Sequence, residues 1–550
     1  MNKWTIELEN KKLNNKLNNK YFDELVELIN SLTKSENVTA KKHLQAYRSN
    51  HTSRKDKMFQ LFRTIETNSE IDIAELKLLI SPNVSIKSYY KLLKRTVFRV
   101  RESLMIEVNL KRKSNYGTIF KVRYQIKKDI IVAQILLNKG LLNQALGLYT
   151  NIIRIAIEYE FFDEVIEALL IKLNIASGGN KKLDYRKIKE EIDFYELEKT
   201  QLREIRFQIQ TYSAKIAKIS NKDTLNKELA LMVIKVKRMC INLKSYNSKS
   251  ILYLLQMEYC GNLGLHNLMI KKAEALLFDL LNKPALYSQN RINYTNNEIA
   301  RAYFIKLDLK QAKYFCESAI EALEGKINNA YLSSNETLIK IEIYLNEHDD
   351  VKLKLQNILN LSITKKYSLK ETHFNYYLAI TYFVLQNYKT SFQLLNELKI
   401  IEKDKEGWNV WIRIMRILCS IELLRLNMVD YDIESFRKYI ERISKAGNIN
   451  ARVQLILKVL TELDRCNYNF RIVAQKRRLE LENLKNTTGK YKWDIKSPEM
   501  ILFHDWFEAR LHNQSYQPNL EPYKKQMELD DAKPLSKAKA KKYREMGLIE

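Results

Sequence analysis

Apolar residues along this chain recur at offsets of three, four and seven over stretches of roughly 15–25 residues, the period of a helix that buries one face. The stretch 141–158 places Leu142, Ala145, Leu146, Tyr149, Ile152, Ile153 and Ala156 on one stripe. The stretch 309–324 does the same with Leu309, Ala312, Cys316, Ala319, Ile320 and Leu323. Only Pro82 and Pro284 interrupt the first 497 residues. Proline lacks a backbone N–H and breaks helix interiors, so the pattern predicts a chain that is helical nearly throughout. Gly140, Gly264, Gly325 and Gly447 follow apolar stripes, where helices commonly stop on a left-handed residue.

In the first 113 residues the pattern predicts helices over 20–32, 34–48, 54–67, 72–80 and 85–112. Thr33 with Glu36 has the spacing of a capping box. Ser81-Pro82-Asn83-Val84 reads as a turn, and Ser85 can cap the next helix. From about 116 to 487 the chain reads as successive helical hairpins, with no Pro-, Gly- or Ser-rich linker dividing it. Pro498, Pro518, Pro522 and Pro534 then fall close together. A helix over 498–513 is expected to cap the hairpins, with Trp506 and Phe507 available for docking. Ser536 to Arg544 reads as a short basic helix or a disordered tail, and the basic run Lys533 to Arg544 as an electrostatic arm for nucleic acid or an acidic partner, or else as a solubilising terminus. Three regions follow: 1–115, a basic helical region; 116–487, a helical-repeat solenoid; and 488–550, a capping helix and basic tail. A length of 550 residues usually means several domains. An α-solenoid accommodates it, because each unit buries its apolar face on its neighbours.

The stretch Ile299-Ala300-Arg301-Ala302-Tyr303, with Ala312 and Ala319, resembles the tetratricopeptide repeat. Ala133 with Ala145 and Tyr149, and Ala379 with Tyr382 and Ser391, repeat the spacing of twelve. Ala312 to Ser391 spans 79 residues, or two hairpins of 39–40, longer than the usual repeat of about 34. The resemblance implies an all-α solenoid of irregular tetratricopeptide-like hairpins over two-thirds of the chain, and no particular partner. A second resemblance lies in Leu25 to Glu36, which contains Ser-Leu-Thr-Lys-Ser-Glu, with Leu61–Ile65 and Lys87–Leu93. It looks like a group of uncharacterised bacterial helical-repeat proteins, from which no activity transfers.

Charge adds a second theme. The 93 Lys and Arg against 65 Asp and Glu leave a net +28. Such a field favours nucleic acid, acidic proteins or anionic surfaces. Abundant Lys, Asn, Ile and Tyr also follow from AT-rich coding sequence, which inflates Lys without a ligand. The apolar fraction of 45% argues against a largely disordered chain. Cys240, Cys260, Cys316, Cys419 and Cys466 are far apart and lie in apolar stretches, so buried free thiols in a reducing compartment are expected. The opening residues do not read as a secretory signal. No apolar run approaches the roughly 20 residues of a membrane span. The expected location is cytoplasmic.

The strongest nucleic-acid candidate is 72–112, which is similar to a helix-turn-helix. Lys87, Lys91, Lys94 and Arg101 share one face of its second helix, with Arg95 and Arg99 nearby and Tyr89 and Tyr90 available to contact backbone or bases. That helix is too long for a true recognition helix, and a solvated basic face is the plainer reading. Ser177-Gly178-Gly179-Asn180-Lys181-Lys182 lacks the spacing of a phosphate loop and reads as a helix end. His504, Glu508 and His512 share a helix face, yet the two histidines are about 12 Å apart along it, too far for one metal ion. They read as a surface array. Tyr376, Tyr377, Trp408 and Trp411 read as packing between hairpins. No hydrolase, zincin or dinucleotide motif is present.

The sequence therefore points to a non-enzymatic cytoplasmic scaffold or adaptor, without cofactor or metal, that binds a protein or peptide on its helical surface. Exposed residues on the first helices of hairpins, such as Arg301 and Asn375, are the expected contacts. The alternative is a nucleic-acid-binding regulator, with the 72–112 element as reader and the solenoid as sensor.

Overall fold

The computed structural model describes residues 20–46, 57–68, 71–106, 117–178, 183–217, 219, 221–401, 404, 407–444 and 450–549. Among the described residues there are 27 helices and no strand. The all-α class expected from the pattern is thus present. The chain forms two compact units, Met1–Gln125 and Ile126–Glu550.

In the first unit the capping box at Thr33 is formed. The Thr33 N–H donates to Glu36 Oε2 (2.8 Å), and the Glu36 N–H donates to Thr33 Oγ1 (3.3 Å). Ser85 Oγ accepts from the Ser88 N–H and starts the helix Ile86–Ile106. This helix is the centre of the unit. The helices Lys20–Ser31, Lys34–Ala46 and Lys57–Thr67 all pack on it. Its face Tyr89, Leu93, Val97 and Val100 joins Leu25, Leu44, Leu61 and Phe62 in one core.

In the second unit most helices pack chiefly on a neighbour in sequence, though His348–Leu359 skips the short helix Ser362–Lys366 to pack on Ser368–Val384. The stripe expected over 141–158 is found in the helix Leu142–Glu158, which buries Ala145, Tyr149, Ile152, Ile153 and Ala156. The helix Leu309–Glu321 buries Ala312, Cys316 and Ala319. One turn joins many of these helices. A residue turns left-handed, and the N–H after it reaches back five residues to a helix carbonyl, as in Leu265 to Cys260, Asp308 to Tyr303, Glu347 to Glu342, Asn387 to Tyr382 and Arg425 to Ser420. This double-bonded turn satisfies the carbonyls that a helix end leaves open. Gly264 holds the left-handed position at φ 72°, but Leu307, Asn346, Gln386 and Leu424 hold it without glycine. Gly447 lies outside the described residues.

The region after 488 is folded into this second unit. Arg452, on the helix Ala451–Arg465, is fully buried and meets Glu499 through two hydrogen bonds of 2.7 and 2.9 Å. Its remaining N–H groups donate to the Leu484 and Tyr491 carbonyls and to His504 Nδ1. Trp506 and Phe507 are buried, and the Trp506 indole N–H donates to Glu422 (2.7 Å). The basic stretch near the C-terminus forms the helix Lys537–Glu545, capped by Ser536. Tyr543, Met546 and Leu548 are buried in a cluster with Val236, Tyr259 and Cys260. Lys237 Nζ donates to the Arg544 carbonyl and Gln256 Nε2 to the Met546 carbonyl, both at 2.7 Å.

Candidate functional site

The helix Tyr246–Leu263 is held at its N-terminus by two carboxylates from elsewhere in the unit. Glu160 accepts from the Tyr246 N–H (2.5 Å), the Asn247 N–H (3.1 Å), the Asn247 side chain (2.7 Å) and the Ser245 hydroxyl (2.9 Å). Glu198 accepts from the N–H groups of Lys244 (2.6 Å) and Ser245 (3.1 Å). Negative charge there answers the positive end of the helix dipole. Gly264 then turns the chain into the helix His266–Asn282, and Ser288 caps the helix Gln289–Ile305.

These three helices wall a cavity of about 710 Å3, with Ile209 and Lys496 also on its boundary. That is within the range of about 300–1,000 Å3 typical of ligand sites. Its floor is apolar, with Leu254, Leu255, Met269, Leu276 and Ile305. Its walls carry Arg291, Tyr294, Glu298, Arg301, Glu258 and His266.

The charged groups differ in how they are satisfied. Arg301 donates to Glu298 Oε1 at 2.7 Å, one turn away on the same helix. Arg291, in the first turn of that helix, is half-buried and donates to the Ser250 hydroxyl at 2.8 Å. It makes no ion pair with any described residue. Burial, and then the like charge of Arg206, push its pKa below the usual guanidinium range. Glu258 is exposed in the lining, desolvation raises its carboxyl pKa, and no cation pairs with it among the described residues. Burial, followed by Lys496, pushes His266 down to about 4, so its ring is neutral near neutral pH. The cavity thus combines apolar lining with two cations, Arg291 and Lys496, and one anion, Glu258, that make no ion pair among the described residues.

Of the two partner contacts expected from sequence, Arg301 lines this cavity and Asn375 does not. Asn375 is half-buried and donates to the Glu371 carbonyl of its own helix (3.0 Å).

In the first unit Lys87, Lys91, Lys94, Arg95 and Arg101 are exposed on the helix Ile86–Ile106, and Arg99 is half-buried. Acids interleave with them: Arg101 meets Glu24 at 3.3 Å and Arg99 meets Glu102 at 2.5 Å. The Lys94 ammonium lies 5.8 Å from the Tyr21 ring centroid. Lys87 and Lys91 make no ion pair with described residues. Tyr89, expected to be available to a ligand, is instead fully buried in the core of the unit, which pushes its phenol pKa upward. Position 89 falls on the apolar stripe with Leu93, Val97 and Val100, and packing claims it. Residues 107–112 of the expected helix lie outside the described residues.

The expected surface array is also corrected in part. His504 is buried, not exposed, and accepts a hydrogen bond from Arg452. Glu508 pairs with Lys485, and His512 caps the helix end. Among the described residues no three His, Cys, Asp or Glu are placed to share a metal ion. Gly178 ends the helix Phe162–Ser177 as expected, while 179–182 lie outside the described residues. Tyr376, Tyr377, Trp408 and Trp411 are buried in the main core. Cys240, Cys260, Cys316 and Cys419 are buried free thiols whose pKa desolvation raises to about 11 or 12, whereas Cys466 is half-buried. Among the described residues no helix is long and apolar enough to cross a membrane.

Compared with protein-family models and with curated proteins, the chain matches none.

Proposed function

We propose that this protein is a non-enzymatic scaffold or adaptor of the cytoplasm that holds a protein or peptide partner against stacked helical hairpins. The observation that carries the reading is the open cavity between the helices Tyr246–Leu263, His266–Asn282 and Gln289–Ile305. The regular turn at 264, 307, 346, 386 and 424 supports tetratricopeptide-like units of about 40 residues, stacked as a solenoid. Alternate helices also touch: Gln289–Ile305 meets Asn329–Tyr344, which meets Ser368–Val384. Stacked helices preorganise the cavity walls, so the partner bears most of the ordering entropy on binding.

The test is affinity capture from the source cells with and without nuclease, comparing the natural chain with Leu254→Glu. A partner retained through nuclease by the natural chain and lost from the variant supports the reading. Partners that vanish with nuclease, or that bind the variant equally well, count against it.

A further inference from the structure

The partly buried arginines of the second unit are mostly answered by carboxylates. Arg452 has Glu499, Arg477 has Glu462 and Glu480, Arg416 has Asp432, and Arg510 has Glu422. Among the described residues Arg413 and Arg291 make no ion pair: Arg413 lies over the Tyr439 ring, 4.5 Å from its centroid, and Arg291 lines the cavity between the three helices. The Arg291 guanidinium carries five N–H donors in a planar fork suited to a carboxylate, yet among the described residues a single hydroxyl accepts from it. The like charge of Arg206 adds to the burial that disfavours its charged form. A cation taken out of water without a counter-charge is unfavourable, and a ligand that supplies the carboxylate removes that penalty.

We propose that the cavity recognises a peptide segment bearing one carboxylate flanked by apolar side chains. The carboxylate meets Arg291, and the apolar neighbours rest on Leu254, Leu255 and Met269. This rests on the partner-binding reading above and names the chemistry of the partner. Glu258 sets a limit on it: a carboxylate in the lining that no described cation answers repels further acids, so the site selects one acidic group and rejects an acidic tract. A general attraction of acids to a +28 protein would do the reverse.

The experiment uses the full chain with its methionine methyl groups labelled with carbon-13, because Met257 and Met269 both line the cavity and report occupancy by their NMR shifts. The probes are acetyl-Leu-Glu-Leu-amide, the neutral acetyl-Leu-Gln-Leu-amide, acetyl-Leu-Gln-Leu with a free C-terminus, and acetyl-Glu-Glu-Glu-amide. The first should move both methyl signals and bind about tenfold more tightly than the neutral peptide, the worth of one charge-assisted hydrogen bond. The free-terminus peptide shows whether a main-chain carboxylate serves as well as a side-chain one; a preference for either over the neutral probe supports the site. Arg291→Gln, checked for an unchanged helical circular dichroism signal, should erase the preference, and Arg291→Lys should restore part of it. Equal binding of acidic and neutral probes overturns the proposal but leaves a peptide-binding cavity standing. Tightest binding by the triple-Glu probe overturns it in favour of bulk charge. Shifts confined to other methionines, or no binding by any probe, also overturn it, and the Leu254→Glu capture then decides the broader reading on its own.

Discussion

Arg452 and Arg291 are both taken out of water within the same helical unit, and they are treated in opposite ways. Around Arg452 every direction is filled: Glu499 takes two hydrogen bonds, two main-chain carbonyls take two more, and His504 takes another. Around Arg291 one hydroxyl accepts, and the space beyond is open cavity. The first arrangement is complete in the folded chain and ties residues after 488 to the helix Ala451–Arg465. The second leaves most of the guanidinium's donors without an acceptor among the described residues. A buried charge marks a binding site by what it lacks, so burial alone does not separate architecture from function.

The comparison breaks most easily at Arg452. Arg452→Ala leaves Glu499 buried without its counter-charge, and the expected loss is about 3–5 kcal/mol. Urea unfolding followed by circular dichroism measures it; a loss below 1 kcal/mol would show that the cluster is not structural. The pH dependence of the same cluster is next. Burial, and then Arg452, depress His504 to about 3, below the ordinary unfolded value of about 6.5. The neutral ring therefore contributes stability that is full above pH 6.5 and is lost as pH falls toward 3. The stability gap between the natural chain and His504→Gln should shrink by about 2–3 kcal/mol between pH 7 and pH 4. Asp505, raised to about 6 chiefly by burial and 3.4 Å from His504 Nε2, acts in the opposite sense, losing stability as pH rises between its unfolded value and 6. A gap that stays constant with pH would mean that His504 does not titrate as its surroundings dictate.

Smaller effects sharpen the cavity side. Glu160→Ala removes four hydrogen bonds to the start of the helix Tyr246–Leu263, and about 2 kcal/mol of stability should go with them. If thermal unfolding is unmoved, that cavity wall is held by other contacts. Arg291→Gln should change stability by no more than about 0.5 kcal/mol in either direction, because it removes an unpaired charge and no ion pair. A large loss would place Arg291 with Arg452 as architecture. Smallest of all should be the change of Lys87, Lys91, Lys94 and Arg101 to Glu. With acids already interleaved on that face, affinity for labelled DNA and RNA should change by less than about threefold, and the salt slope by less than the 0.9 per contact of true phosphate binding on duplex DNA. A fall of orders of magnitude in fluorescence anisotropy titrations would revive the nucleic-acid alternative.

Periodicity made the helices legible because it records a backbone rule. Ala145, Tyr149 and Ala156 were readable as buried from their spacing alone. So was the capping box at Thr33, whose two side chains are neighbours in sequence. The joints were less legible. Gly264 announces its turn, but Leu307 and Gln386 adopt the same left-handed backbone with side chains that give no sign of it. Tyr89 was misread because an aromatic ring on a basic helix looks the same whether it faces solvent or core. The cavity was the least legible feature. Arg291, Tyr294, Glu298 and Arg301 form a polar stripe on the helix Gln289–Ile305, and a stripe of mixed charge is also what an ordinary solvated face presents. What distinguishes Arg291 is that no carboxylate among the described residues meets it, and single-chain spacing carries no record of that. The pairing of Arg452 with Glu499 across 47 positions was hidden for the same reason.

The docking of Tyr543, Met546 and Leu548 beside Tyr259 bears on how the protein is made. Gln256 must wait for a partner 290 residues further along the chain. At about 5–20 residues per second of synthesis, that delay is roughly 15–60 s. Throughout it, the surface around Tyr259 and Cys260 stands uncovered on a nascent chain whose earlier helices are already free to pack. During those seconds the ribosome-bound protein presents an apolar patch that the finished protein hides, and a chaperone has its opportunity there.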